Sequence, residues 1–190
     1  MDYGGDPGFE SVRTTLESAL ALPFAVAITS SQAGDGKTHL AVGLARTFAR
    51  AGFETIVVDA NPLAPAVGTA LGLANLAPPK TLAPGDLSIM KAGGLLEATS
   101  IASHRLADDA TDAQLRGLVQ YLRGKYRVTI LDLCEVFYGP FAVLSAAACD
   151  GVVLTIRYAR NADPEDDKVV GTLEQMGARI IGSVPTSCPA

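Results

Sequence analysis

Short apolar runs recur along the whole chain, separated by segments of helical or turn character. Five of these runs are rich in β-branched and aliphatic residues, which is typical of strands that are buried on both faces. They cover residues 25–29, 55–59, 128–132, 151–156 and 179–184, and a weaker sixth run covers 87–90. Because buried strands that alternate with helices are typical of parallel sheets, the pattern predicts an α/β fold. We expect a single doubly wound sheet of about five to seven mostly parallel strands, with helices on both faces.

Apolar residues at helical spacing mark the segments between these runs. The first such segment, 9–22, precedes the first strand and either packs on the sheet or forms an oligomer contact. The remaining helices are predicted at 39–51, 67–71, 95–106, 111–123, 141–148 and from Asp163-Pro164 to about Met176. Residues 1–8 are expected to form a flexible leader and residues 9–190 a single domain, with 73–86 as a surface excursion.

The loop between the first strand and the next helix has the composition of a phosphate-binding loop. It contains Ser31, Gln32, Ala33, Gly34, Asp35, Gly36, Lys37, Thr38 and His39, with serine at the first glycine of the G-x-x-x-x-G-K-[ST] pattern. Small residues let backbone N–H groups surround a phosphate, and the helix presents its N-terminal partial positive charge to the same anion. We therefore expect residues 32–39 to bind a nucleotide, with Lys37 on the β- and γ-phosphates and Thr38 on Mg²⁺.

Two aspartates follow strands on the side of the sheet where such folds bind their ligands. Asp59 ends one apolar run and Asp132 ends another, so both are expected beside the phosphate-binding loop. Mg²⁺ prefers one or two carboxylates together with phosphate oxygens and water. The predicted magnesium ligands are Thr38, Asp59 and Asp132. The predicted catalytic residues are Lys37, Asp59 and Asp132.

Composition narrows the class of protein and its compartment. Of the 190 residues, 48% are hydrophobic and 18% are charged, which favours a packed globular domain and argues against disorder. The net charge of −5 gives no electrostatic support for nucleic-acid binding. No apolar run approaches the roughly 20 residues that cross a bilayer. Cys134, Cys149 and Cys188 lack metal-site spacing, and we expect them to be reduced thiols of a cytoplasmic protein.

Several motifs, taken in order, resemble one group of proteins. Residues 28–38 are similar to the Walker A motif of the P-loop ATPases that include the ParA/MinD proteins. Residues 57–60 and 126–132 are similar to the approaches to their second aspartate motif and their Walker B motif. The Arg-Thr-Thr-Leu sequence at 13–16 resembles the Arg-Thr-Asn-Leu of the bacterial tyrosine kinases (BY-kinases) of capsule and exopolysaccharide synthesis. The closing segments at 150–154 and 176–182 are also similar to that family.

This resemblance implies more about function than the spacing alone. It implies ATP and Mg²⁺ as cofactors, and Asp59 as the base that orients a nucleophilic hydroxyl. It also implies a homo-oligomer and docking on a membrane-bound polysaccharide co-polymerase, which would recruit a cytoplasmic protein to the inner face of the membrane. No nucleic-acid partner is expected.

The chain also departs from the family at positions that affect catalysis. Residues 59–61 read Asp-Ala-Asn in place of Asp-x-Asp, and the asparagine cannot bring negative charge to a metal. Leucine and alanine at 63–64 stand where arginine belongs, and 133–135 replace the prolines that normally follow Walker B. Residues 185–188 replace the asparagine-containing segment that holds the base of the nucleotide. Gln32 stands where ParA/MinD proteins have their signature lysine.

Three hypotheses follow from these matches and departures. The first is a Mg²⁺-ATP-dependent ATPase or tyrosine-kinase-like enzyme of capsule or exopolysaccharide assembly. The second is a non-catalytic nucleotide-binding regulatory subunit of a polysaccharide export or co-polymerase system. The third is a positioning ATPase of the ParA/MinD kind, which Gln32 and the acidic net charge disfavour.

Overall fold

Seven strands form one sheet in the computed structural model, which describes residues 6–157 and 164–186. They are β1 (Phe24–Thr29), β2 (Thr55–Ala60), β3 (Met90–Gly93), β4 (Leu96–Ser100), β5 (Val128–Leu133), β6 (Gly151–Arg157) and β7 (Ile180–Thr186). The order across the sheet is β3-β4-β2-β5-β1-β6-β7, and every neighbouring pair except β3 and β4 is parallel. The predicted α/β fold with one doubly wound, mostly parallel sheet is confirmed.

Helices cover both faces of this sheet. They are α1 (Pro7–Ala19), α2 (Lys37–Arg50), α3 (Val67–Leu71), α4 (His104–Asp109), α5 (Asp112–Arg123), α6 (Pro140–Ala147) and α7 (Pro164–Gln175). Buried residues of α1, α2 and α3 belong to one hydrophobic core, and those of α4 to α7 belong to the other. Within the described ranges, no helix has the length and apolar character that crossing a bilayer requires.

The two cores divide the side chains of the central strand β1 between them. Phe24, Val26 and Ile28 pack with the helices of the first core, and Ala25 and Ala27 pack with those of the second. This alternation follows from the period of two along a strand, in which successive side chains point to opposite faces. All six residues of β1 are buried, so this strand holds the loop that follows it on a rigid support.

The prediction of a helix over 95–106 is wrong. Residues 96–100 form strand β4 instead, which pairs in parallel with β2 along its whole length. Leu96 and Ala98 of this strand are buried in the first core. Helical spacing of a few apolar residues is a weak preference, and pairing with a central strand outweighs it. Only the short helix α4 lies at the end of the predicted range.

Other boundaries differ by a few residues from the predictions. Helix α1 begins at Pro7, where Asp6 caps it by accepting a hydrogen bond from the Gly8 backbone N–H, so residues 7 and 8 are not part of a leader. The strand predicted at 87–90 lies at Met90–Gly93. The predicted helix cap at Asp163 lies outside the described residues, as do residues 1–5.

Candidate functional site

The strand order brings the predicted acidic residues together. Strand β5 lies between β1 and β2, so the carboxyl ends of these three strands are adjacent. Asp59 and Asp132 are direct partners across the β2–β5 pair, and Ile28 is opposite Asp132 across the β1–β5 pair. The loop that follows β1 therefore begins next to both aspartates, at the edge where open α/β sheets bind their ligands.

The loop after β1 requires its two glycines. Gly34 has φ 76° and Gly36 has φ 81°, a backbone conformation that other residues rarely adopt. Space is also short, because a Cβ atom on Gly34 would lie 2.8 Å from Arg157 Nη2 and one on Gly36 would lie 3.1 Å from Thr186. Helix α2 begins directly after Gly36, so the loop leads into a helix N-terminus as the sequence predicts.

Strand ends from the other half of the sheet tie this loop down. Arg157, at the end of β6, donates a hydrogen bond from Nη2 to the Gly34 carbonyl oxygen at 2.9 Å. Thr186, at the end of β7, donates from Oγ1 to the Asp35 carbonyl oxygen at 2.8 Å. These contacts fix the loop backbone and involve two residues whose role the sequence analysis does not predict.

Lys37 lies at the start of α2 with its side chain only 5% exposed. Its ammonium group donates to the Ser30 hydroxyl at 3.0 Å, to the Gln32 carbonyl oxygen at 3.2 Å and to Glu135 Oε1 at 2.8 Å. In the sequence, Glu135 belongs to a segment that departs from the family pattern, and no role is predicted for it. The signal available was a carboxylate three residues after Asp132, where that family has prolines.

Contact with Lys37 stabilises the ionised form of the Glu135 carboxyl group. Burial opposes ionisation, but the hydrogen bond from Lys37, a backbone N–H group and the attraction to the ammonium outweigh it. The pKa of Glu135 is therefore lowered from its ordinary value. The result is an ion pair between the start of α2 and the segment after β5, and both side chains are largely removed from solvent.

Thr38 and Asp132 form the second contact of the site. The Thr38 hydroxyl donates to Asp132 Oδ2 at 2.6 Å. Asp132 is fully buried, and its other oxygen, Oδ1, accepts no hydrogen bond. Burial raises the pKa of Asp132 to about 7, and repulsion from Asp59 adds to the effect while Thr38 and Lys37 oppose it. A buried carboxylate oxygen with no donor is the kind of group that a cation would satisfy.

Asp59 is held by the backbone of the segment that follows it. Oδ2 accepts from the Val67 N–H group at 3.0 Å, and Oδ1 accepts from the Asn61 N–H group at 3.4 Å. Burial raises the pKa of Asp59, although these hydrogen bonds offset part of the effect. The Asn61 side chain is also engaged locally, because its Oδ1 accepts from the N–H groups of Leu63 and Ala64.

The remaining predicted residues of the loop differ in where their side chains lie. The Gln32 side-chain amide donates to Glu165 Oε2 at 3.4 Å, and Ala33 is exposed. Asp35 is buried, with an Arg157 nitrogen 3.8 Å from its carboxylate, and the His39 ring packs against Phe9 at 5.5 Å between centroids. Side chains of Asp35 and His39 thus contact protein groups, so a phosphate contact from these residues would come from their backbone N–H groups.

The fold and this loop together define a class of protein. A parallel sheet whose central strand leads through a glycine-containing loop to a lysine and a threonine at a helix N-terminus is a P-loop nucleotide-binding domain. The chain belongs to the CobQ/CobB/MinD/ParA nucleotide-binding domain family, and residues 26–188 match the model of that family.

Individual relatives agree with this assignment. The tyrosine-protein kinase CpsD of Streptococcus agalactiae is 25% identical over 188 residues, covering 93% of this chain and 80% of that protein. The kinase domain of the Escherichia coli tyrosine kinase ETK has a TM-score of 0.82 at 17% identity, covering 98% of this chain and 78% of that chain. MinD of Pyrococcus horikoshii, solved with Mg-ADP, has a TM-score of 0.70 at 19% identity, covering 85% and 69%. The resemblance drawn from the sequence, to bacterial tyrosine kinases within the ParA/MinD-like ATPases, is confirmed.

Proposed function

We propose that this chain binds Mg²⁺-ATP at the loop after β1 and acts as a cytoplasmic ATPase or tyrosine-kinase-like phosphotransferase of capsule or exopolysaccharide biosynthesis. The observation that carries this proposal is the contact between Thr38 Oγ1 and Asp132 Oδ2, beside the buried ammonium of Lys37. In P-loop proteins these residue types bind the metal and the β- and γ-phosphates.

The residues of the site suit a bound magnesium ion. Thr38 and Asp132 would hold Mg²⁺, with Asp132 Oδ1 as a carboxylate oxygen that lacks a hydrogen bond. When bound, the ion would neutralise charge on the transferred phosphoryl group. Lys37 would bind phosphate oxygens and stabilise the same charge in the transition state, which is mainly a positioning and electrostatic task. Asp59 would accept the proton of the attacking hydroxyl or water.

A second function, a nucleotide-binding regulatory subunit with little turnover, is favoured by the contacts of Asp59. Its two carboxylate oxygens already accept hydrogen bonds from Asn61 and Val67, and Asn61 cannot replace a second acid. These hydrogen bonds stabilise the ionised carboxylate and offset part of the rise in pKa that burial produces, so they make Asp59 a weaker base. Binding of nucleotide without catalysis would then serve as a switch between two states of the chain.

Partners complete the proposal. We propose a homo-oligomer on the basis of the residues at 13–16, and docking on a membrane-bound polysaccharide co-polymerase on the basis of the resemblance to the bacterial tyrosine kinases. Arg13 donates to Glu10 at 2.9 Å and to Glu17 at 2.6 Å, so its guanidinium is paired with two acidic side chains of α1. The acidic net charge gives no support for DNA as a partner.

Binding and turnover measured on one sample test the proposal. Mg²⁺-ATP should raise the melting temperature by mass action, and phosphate release should depend on Mg²⁺. Lys37→Ala should abolish both, since it removes the cation that binds the phosphates. Lys91→Ala, on the exposed face of β3, is the matched control and should leave both unchanged. A melting-temperature shift without turnover would favour the regulatory subunit, and turnover that survives Lys37→Ala would refute the proposed site.

A further inference from the structure

The ammonium group of Lys37 has no donor left for a nucleotide. A lysine ammonium carries three N–H donors. In this structure Ser30, Gln32 and Glu135 accept one hydrogen bond each. A phosphate oxygen that binds Lys37 must therefore displace one of these acceptors. Two of them are neutral, and Glu135 is the acceptor that carries negative charge.

The backbone on either side of Glu135 holds its carboxylate over the loop. The Thr29 hydroxyl donates to the Cys134 carbonyl oxygen at 2.7 Å, and the Val136 N–H group donates to the Ser30 carbonyl oxygen at 3.1 Å. Both bonds join the segment after β5 to the point where β1 becomes the loop. The position of Glu135 is thus set by the same elements that position Lys37, and its side chain is only 16% exposed.

We propose that Glu135 is an affinity-determining residue of the nucleotide site, because its carboxylate occupies the Lys37 donor that a phosphate of the nucleotide needs. This inference rests on the proposed function. Binding is an exchange in which one anion, the carboxylate, leaves the lysine and another, a phosphate, takes its place. The neutral acceptors Ser30 and Gln32 can remain, since they do not repel the phosphate.

The charges around the lysine make this exchange costly. Asp132 lies close enough for Glu135 to act on it electrostatically, so a displaced Glu135 remains near both a carboxylate and the incoming phosphates. Like charges at short range disfavour binding. Separating Lys37 from Glu135 adds to this cost, because breaking an ion pair that is largely removed from solvent is unfavourable.

Glu135→Gln tests the inference directly. Glutamine keeps the length of the side chain and an acceptor for Lys37, and it removes the charge that competes with phosphate. We expect the Kd of Mg-ADP to fall about tenfold, equivalent to about 1.4 kcal/mol. Mg-ADP is the probe because phosphate release cannot disturb the titration. Isothermal titration calorimetry on the full chain gives the Kd.

Two further variants separate competition from a change in folding. Glu135→Asp keeps the charge but withdraws it from Lys37 by one methylene, so its Kd should lie between those of the wild type and Glu135→Gln. Glu54→Gln makes the same charge change at the exposed residue before β2, at the opposite end of that strand from Asp59. Its Kd should stay within about twofold of the wild-type value, since surface charges that far away are screened.

The outcomes test both the inference about Glu135 and the proposed function. Tighter Mg-ADP binding by Glu135→Gln, with a larger rise in melting temperature on adding Mg-ADP, supports the inference. Equal or weaker binding by folded Glu135→Gln and Glu135→Asp overturns it and leaves the proposed function standing. If neither the wild type nor Glu135→Gln binds Mg-ADP, the inference and the proposed function both fail.

Discussion

Replacing Asp132 with asparagine should stabilise the nucleotide-free protein while removing a predicted magnesium ligand. Asp132 is fully buried, and Oδ1 accepts no hydrogen bond. Asparagine keeps a carbonyl oxygen that can accept from the Thr38 hydroxyl, and it carries no charge. Groups that are arranged to bind a ligand are commonly unfavourable for the stability of the empty site.

The magnitude follows from the pKa of the carboxyl group. The pKa of Asp132 is about 7 in the folded protein and 3.8 for an ordinary aspartate, a difference of about 3 (7 − 3.8). At about 1.36 kcal/mol per pKa unit, the ionised form costs about 4 kcal/mol in the folded state. Because the asparagine N–H groups also need partners in a buried place, we expect about 2–4 kcal/mol of stabilisation at about pH 8.

The dependence of folding stability on pH has the opposite sign from that of a carboxylate whose pKa is lowered in the folded protein. Between pH 3.8, which is the ordinary pKa of aspartate, and about pH 7, the folded protein keeps a proton on Asp132 that the unfolded chain has released. The contribution of that proton to stability is therefore complete at low pH and is lost as pH rises through about 7. The advantage of Asp132→Asn should be largest at about pH 8 and should shrink at about pH 5.

Urea or thermal unfolding in EDTA measures this difference. At about 2–4 °C per kcal/mol for a chain of this size, the melting temperature should rise by roughly 4–16 °C at about pH 8. Asp108→Asn, at an exposed position of α4, is the control and should change stability by no more than about 0.5 kcal/mol. A variant no more stable than the wild type at pH 8, or an equal gain at both pH values, would refute the reasoning.

Two further predictions concern the core and the ion pair. Phe48 is fully buried, and its ring lies 5.7 Å from that of Phe24 and 5.8 Å from that of Phe53, so Phe48→Ala should lower the free energy of unfolding by about 3–5 kcal/mol in denaturant titrations. Because the pKa of Glu135 is lowered by Lys37, its contribution to stability is present above the ordinary value of 4.5 and is lost as pH falls through the lower folded value. Glu135→Gln should not lose this part of its stability as pH falls. Identical acid unfolding of the variant and the wild type would contradict a stabilising role for the ion pair.

The central part of the fold could be predicted from the sequence because its strands are buried on both faces. Strands β1, β2 and β5 are buried at every residue, and each appears in the sequence as a mostly apolar run that includes a threonine or an aspartate. Parallel pairing then places Asp59 and Asp132 at the same edge without any knowledge of side-chain contacts. The strand β4 could not be predicted in this way, since it has a partly exposed position and stands next to the edge strand β3.

The partners of the loop could not be predicted because they lie far apart along the chain. Glu135 is 98 residues from Lys37, and Thr186 is 151 residues from Asp35. No local sequence pattern indicates either contact. Each depends on the path that the backbone takes beyond the end of a strand. The backbone contact of Asp59 is not predicted either, although it is much closer along the chain. Its partner Val67 lies eight residues on, where the chain turns back to begin α3.

The site contains more acidic than basic side chains, and this affects which ligand it can bind. Asp132 and Glu135 lie near one buried cation, Lys37, and Asp59 is the strand partner of Asp132. Burial raises the pKa of both aspartates. A triphosphate without a metal would add further negative charge to this group, so its binding should be weak. A magnesium complex would bring positive charge to the unpaired oxygen of Asp132, and its phosphates would replace Glu135 on Lys37. We therefore expect the site to favour the metal–nucleotide complex over either component alone, because the complex would satisfy both the unpaired carboxylate oxygen and the lysine.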